Sequence, residues 1–297
     1  MPEPGGPVEV TPGLLRGWPL PSHRDGSTKE TRGQVLVVGG AAQTPGAVLL
    51  AAVASLRAGA GKLAIATVAS TAAALGVAVP EALVQALPET DAGAVDPSAA
   101  DRAVRMAGSA GAVLIGPGMT EKDDCCRLVG SVLRRVGDAA VVLDALSLAV
   151  VEEDPAILRG LDRTPVMTPN RRELGYMLGV DGGDIDADPQ PAVVEAARRF
   201  GAVVSLGGGE TLIAGPDGRV WHESTGGIGL GVSGSGDCAA GVVAGLLARG
   251  ATAEQAAVWG AHLHGSAGDR LATRLGRVGY LAREVADEVP QVLSMYD

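Results

Sequence analysis

Short runs of β-branched and aliphatic residues recur along the chain. Between them lie longer Ala- and Leu-rich stretches with apolar positions at helical spacing. From Gln34 the alternation is regular. Residues 34–40, QVLVVGG, predict a buried strand. Residues 45–59 predict a helix with Pro45 in its first turn and Gly59 at its end. KLAIAT (62–67), AVLIG (112–116), AVVLDA (140–145), PVMT (165–168) and AVVSL (202–206) predict further strands. TLIAG (211–215) and RVWHE (219–223) are separated by Pro216-Asp217-Gly218 and predict a hairpin. Helices are predicted over 237–250, 252–271 and 279–289. Residues 1–33 carry Pro, Gly and charge without a period, so an arm is expected there, lying over a single domain at 34–297.

Strands alternating with helices imply an α/β fold, a three-layer α/β/α sandwich with a mostly parallel central sheet. In such sheets ligands bind outside the carboxyl ends of the strands. Each Gly-rich or polar strand end is then a candidate: 39–46, 116–119, 144–147, 168–173, 207–211 and 231–237.

Composition narrows the function classes. Hydrophobic residues make up 46% of the 297, enough for a sizeable core, while aromatics are 2%, too few for base-stacking platforms. The net charge of −10, with no basic face, argues against nucleic acid as a partner. The uncharged stretch 33–56 imitates a membrane span, but Gly39-Gly40 and Thr44-Pro45-Gly46 break it into a strand, a turn and a helix. Three cysteines without metal spacing, and no basic-then-apolar start, point to reduced thiols in a cytoplasmic protein.

The candidate chemistry centres on GVSGSGD (231–237). Glycines let a ligand approach the backbone, and a loop that runs into a helix presents amides to an anion. Asp237 at the helix start is expected to be ionised and could take a proton from a hydroxyl as phosphoryl arrives. The alternative is a plain helix cap. Asn170 and Glu173, three apart, are either a capping pair or a phosphate and magnesium-water site. Asp144 ends a buried strand and needs a partner there: a substrate, a metal-bound water, or the amides of the following turn. His262 and His264, two apart on a predicted helix, do not share a face, which argues against a metal pair.

The stretches RGQVLVVGG (32–40), TPGAVLLAAVASLRAGAGKLAIAT (44–67), VPEALV (79–84), IGPGM (115–119), VVLDALSL (141–148), GSGDCAAGVVAGLLARG (234–250) and HLHGSAGD (262–269) occur in this order. Together they resemble the ribokinase-like superfamily, and within it the ADP/ATP-dependent NAD(P)H-hydrate dehydratases. The resemblance implies a repair reaction, in which the ring hydroxyl of hydrated NADH or NADPH is phosphorylated from ADP or ATP with Mg2+ and phosphate is then eliminated. It implies that Asp237 activates the hydroxyl, and that the Gly234, Ser235 and Gly236 amides form the anion hole. Gly207, Gly208, Gly209, Glu210, Thr211 and Gly236 would line the adenine nucleotide. Ala47, Gly118, Asp144, Asn170 and Asp237 would contact the substrate, and Glu173 would meet the metal through water. A homo-oligomer is also implied. Some loops depart from the family pattern. Leu146 stands where a second acidic residue is usual, Arg171-Arg172 follow Asn170 in place of Pro-Gly, and Gly207 stands where Lys is usual. Two further readings follow from these departures: a kinase of a small hydroxylated metabolite or vitamin precursor, and a nucleotide-binding homologue that has lost its activity.

Overall fold

The computed structural model describes residues 6–22 and 27–296. Ten strands among them form one sheet: β1 (Val8–Glu9), β2 (Gln34–Val38), β3 (Lys62–Val68), β4 (Ala82–Leu87), β5 (Ala112–Ile115), β6 (Ala140–Leu143), β7 (Val166–Met167), β8 (Val203–Leu206), β9 (Thr211–Ala214) and β10 (Val220–Glu223). The order across the sheet is β1-β10-β9-β8-β7-β6-β5-β2-β3-β4. Only β9 runs antiparallel to its neighbours. It forms the expected hairpin with β10, closed by Gly215 N–H donating to Arg219 O at 2.9 Å.

Twelve α-helices lie among the described residues: α1 (Pro12–Gly17), α2 (Pro45–Arg57), α3 (Ala69–Ala78), α4 (Ala100–Ala107), α5 (Lys122–Leu133), α6 (Val150–Glu153), α7 (Arg171–Leu178), α8 (Gly182–Ala187), α9 (Pro189–Phe200), α10 (Ser235–Ala248), α11 (Ala253–Leu275) and α12 (Ala282–Leu293). Strand residues alternate between two cores. Val35, Val37 and Val142 face one with α2, α10, α11 and α12, whereas Leu36, Val38 and Leu143 face the other with α4, α5, α7 and α9. The three-layer sandwich is therefore as expected. With 2% aromatics, the helices pack through small residues instead. A Cβ on Gly241 would lie 2.2 Å from Ala51 O, and one on Gly245 would lie 2.4 Å from Ser55 O, so α10 rests on the backbone of α2.

Neither edge of the sheet was expected. The segment before Gln34 is more than an arm: Val8 and Glu9 pair with Trp221 and His222 as the edge strand, and Leu15 of α1 is fully buried. Strand β4 at the other edge had no strand predicted for it. Its residues are mostly half-buried, so neither a clean alternation nor a continuous apolar run marks it.

Strand order reverses between β2 and β5, whose partners lead away in opposite directions. A crevice opens at the carboxyl ends there. Gly40 N–H donates to Pro117 O at 2.8 Å, which ties the loop after β2 to the loop after β5.

Candidate active site

The first turn of α10 is set by Gly234, whose φ of 89° only a glycine adopts without strain. No side chain caps this helix. The Ser235 amide donates to Val232 O at 3.1 Å, and the Cys238 amide to Gly234 O at 3.1 Å. The amides of Gly236 and Asp237 lie between these two and are among the orphan donors of a helix start. Ser235, expected in the anion hole through its amide, thus has that donor engaged. Its hydroxyl is hydrogen-bonded to His264 Nε2 at 3.0 Å. Burial holds His264 neutral, its pKa lowered to about 4.

Asp237 is not a cap. It occupies the third position of α10, half-buried, and burial raises its carboxyl to about 6, aided by the negative charge of Glu173. That shift is opposite to the one a helix start alone would give, yet above about pH 6 the carboxyl is still ionised. Asp144 is 5% exposed at the end of β6 and accepts a 2.8 Å hydrogen bond from the Thr168 hydroxyl. Burial raises it to about 7, opposed by Thr168 and aided by the charges of Asp237 and Glu173. Ala145, the next residue, sits at φ 52°, a left-handed conformation that costs a non-glycine residue free energy. That strain lies beside the buried carboxylate.

Asn170 and Glu173 form the capping pair. The Glu173 amide donates to Asn170 Oδ1 and the Asn170 amide to Glu173 Oε2, both at 2.9 Å. Glu173 also has a raised pKa, first from burial. Three carboxylates, just after β6, on α7 and on α10, thus share one electrostatic neighbourhood. Among the described residues no three His, Cys, Asp or Glu group tightly enough to hold a metal directly. Carboxylate oxygens are the ligand type Mg2+ takes, and because it dehydrates reluctantly these three would meet it through its waters.

Beside the first turn of α10 lies a cavity of about 360 Å³. Gly207, Gly208 and Gly209 line it from the β8–β9 turn, Thr211 from the start of β9, Asn170 from the N-cap of α7, Thr225 to Gly227 from the loop after β10, Gly236 and Ala239 from α10, and Gly260, His264 and Gly265 from α11. Almost all of this lining is backbone or small side chain. Glu210, expected here with its neighbours, is not among the lining residues. Its carboxylate reaches His222 Nε2 at 2.8 Å, while Glu9 of the edge strand meets the other ring nitrogen at 2.9 Å.

Ala47 and Gly118 meet on the other side of the crevice. A Cβ on Gly118 would lie 3.0 Å from the Ala47 Cβ and 2.5 Å from Thr44 O, and the Thr44 hydroxyl donates to Gly118 O at 2.6 Å. Thr168, Thr225 and His264 were missed as site residues. Thr168 and His264 lie within stretches already singled out, but a neutral hydroxyl or imidazole carries no signal until its partner is known.

A family model described as NAD(P)H-hydrate dehydratase matches residues 35–291. The ADP-dependent (S)-NAD(P)H-hydrate dehydratase of Xanthomonas campestris is 44% identical over 96% of this chain and 95% of its own. A bifunctional NAD(P)H-hydrate repair enzyme of Moorella thermoacetica is 36% identical over 92% of this chain, which spans 52% of that longer protein. The ADP/ATP-dependent NAD(P)H-hydrate dehydratase of Bacillus subtilis, crystallised with ATP and Mg2+, superposes with a TM-score of 0.83 at 27% identity, covering 98% of this chain and 99% of its own.

Proposed function

We propose a reaction course for this chain, which belongs to the NAD(P)H-hydrate dehydratase family. It is a lyase that returns hydrated NADH or NADPH to the dihydropyridine with ADP or ATP as phosphoryl donor. The adenine nucleotide occupies the glycine-lined cavity, its terminal phosphate at the first turn of α10. The hydrated ring lies across the crevice between Ala47, Gly118 and Asn170. Asp237 takes the proton of the ring hydroxyl as the hydroxyl oxygen attacks phosphorus. The Gly236 and Asp237 amides stabilise the charge on the transferring group. The ring nitrogen lone pair then expels phosphate, and loss of the neighbouring ring proton restores the double bond. Asp144, Glu173 and Asp237 would hold Mg2+ through water, where it supplies charge neutralisation on the donor phosphates.

One observation carries this reading: an uncapped, half-buried Asp237 raised to about 6 beside open helix-start amides. A base must be ionised, so kcat/KM is expected to fall as pH drops through about 6. The test supplies hydrated NADH, ADP or ATP, and Mg2+, and follows the returning dihydronicotinamide absorbance. The wild-type chain restores it, and Asp237→Asn lowers kcat by about 10³-fold, the scale of a lost base and its charge. A variant that keeps full activity removes Asp237 as the base. A phosphate ester that accumulates in the wild type makes the chain a kinase.

Self-association is part of the same proposal. Strand β4 leaves an open sheet edge, and Leu83 on it and Val77 on α3 are 68% and 84% exposed, which supports a homo-oligomer built over that edge. Three free, buried cysteines support a cytoplasmic setting. No helix among the described residues is long and apolar enough to cross a membrane.

A further inference from the structure

The substrate of the proposed reaction is a dinucleotide, and only its nicotinamide half is accounted for by the crevice. The adenosine half must leave the reaction centre along the surface. A second cavity, of about 550 Å³, adjoins the nucleotide cavity at Asn170 and is lined beyond it by Glu173 and other residues of α7, by the turn after β6 and by Lys122 and Glu152. Its volume is in the range of small-molecule sites. Leu146, Leu148 and Met177 give it an apolar floor, and Lys122, Arg172 and Tyr176 give it a cationic and aromatic rim.

Tyr176 stands apart from the rest of the chain. The protein has seven aromatic residues, three Trp, three Tyr and one Phe. The other six are buried or half-buried, and Tyr176 is 56% exposed. An exposed aromatic in so aromatic-poor a chain contributes little to the core. It is also held in place. One turn earlier on α7, Arg172 donates its Nε–H to the Tyr176 hydroxyl at 2.8 Å, and its guanidinium carbon lies 5.4 Å from the ring centroid. A ring fixed by a cation is a ready stacking surface. Lys122 on the same rim is engaged by Glu152 at 2.7 Å, a half-exposed pair of small net worth that a pyrophosphate can replace.

We infer that Tyr176 is a specificity-determining residue for the dinucleotide: the adenine of the hydrated substrate stacks on its ring, and Arg172 and Lys122 meet the substrate's phosphates. This inference rests on the dehydratase reading. It explains how a chain that binds two adenine-bearing molecules keeps them apart. The donor takes the glycine-lined cavity, where backbone approaches from every side, and the substrate takes the aromatic rim.

The test compares hydrated NADH with hydrated reduced nicotinamide mononucleotide, which has the same reacting ring and no adenosine. Tyr176→Ala is expected to raise the ratio of dinucleotide KM to mononucleotide KM by about tenfold, the scale of one lost base stack, and Tyr176→Phe restores the wild-type ratio. An unaltered ratio in Tyr176→Ala overturns the inference. A matching rise in the KM for ADP does so as well, because it would assign the ring to the donor. Wild-type turnover of both substrates separates this outcome from failure of the dehydratase reading, in which neither is converted.

Discussion

Helix α10 uses glycine for two opposite purposes within four turns. In its body, Gly241 and Gly245 have no room for a side chain, since an added Cβ would stand 2.2 and 2.4 Å from carbonyl oxygens of α2. In its first turn, a Cβ on Gly236 would meet nothing within 4 Å, and the same holds for Gly207 and Gly209 across the cavity. The first kind of glycine lets protein touch protein. The second leaves backbone bare to a space that the protein does not fill. Sequence composition treats the two alike, and only geometry separates the residues that hold the fold from those that receive a ligand.

The comparison breaks most visibly in the helix body. Gly241→Val forces α10 away from α2 over the most closely packed part of the core, and overpacking of this kind costs about 3 kcal/mol or more. The expected result is a large fall in the urea midpoint with the kcat of the remaining folded fraction retained. A variant that melts like the wild type would show that the α2–α10 approach is not needed.

The first turn should answer in the opposite sense. Gly236→Ala meets no neighbour and sits at an ordinary helical position, so stability holds or rises by about 0.5–1 kcal/mol through helix propensity. The methyl group enters the space assigned to the donor phosphates, and the KM for ADP is expected to rise about tenfold, equivalent to about 1.4 kcal/mol. Calorimetry and steady-state kinetics on the same preparation check both halves. A destabilised Gly236→Ala with unaltered KM would move Gly236 to the packing class.

The parts legible in the sequence were those carried by local pattern. The β2–α2–β3 unit shows its apolar runs, its Pro45 and its Gly59 within thirty-odd residues. The hairpin shows its Pro-Asp-Gly turn. Strand β1 shows nothing, because two residues are too few for a period and their partner, β10, lies more than two hundred residues away. The same limit applies at the site. Asp237 was legible as a residue, but its protonation was not, since burial and the charge of Glu173 belong to the fold. Glu210 sits in a legible loop, yet His222 turns it away from the cavity, and that pairing depends on the β9–β10 register.

The smallest expected effect is the most direct measure of what the site costs the fold. Asp237 has a folded pKa of about 6, well above the ordinary value of about 3.9 for an aspartate in an unfolded chain. The folded state therefore holds its proton more tightly than the unfolded state. Below about pH 4 both states are protonated and the group is neutral to stability. As pH rises toward 6 the unfolded chain ionises first, and the folded state loses ground until its own carboxyl ionises, after which the penalty is constant. Asp237→Asn removes the penalty but also the small favourable interaction of a carboxylate with the helix start. The group is half-exposed, so solvent reduces the net effect to about 1 kcal/mol or less. The variant is expected to match the wild type in urea melts near pH 4 and to exceed it near pH 8, while having lost its activity. A wild type that is the more stable of the two near pH 8 would mean that Asp237 is a structural carboxylate after all, held by a favourable partner in the first turn of α10.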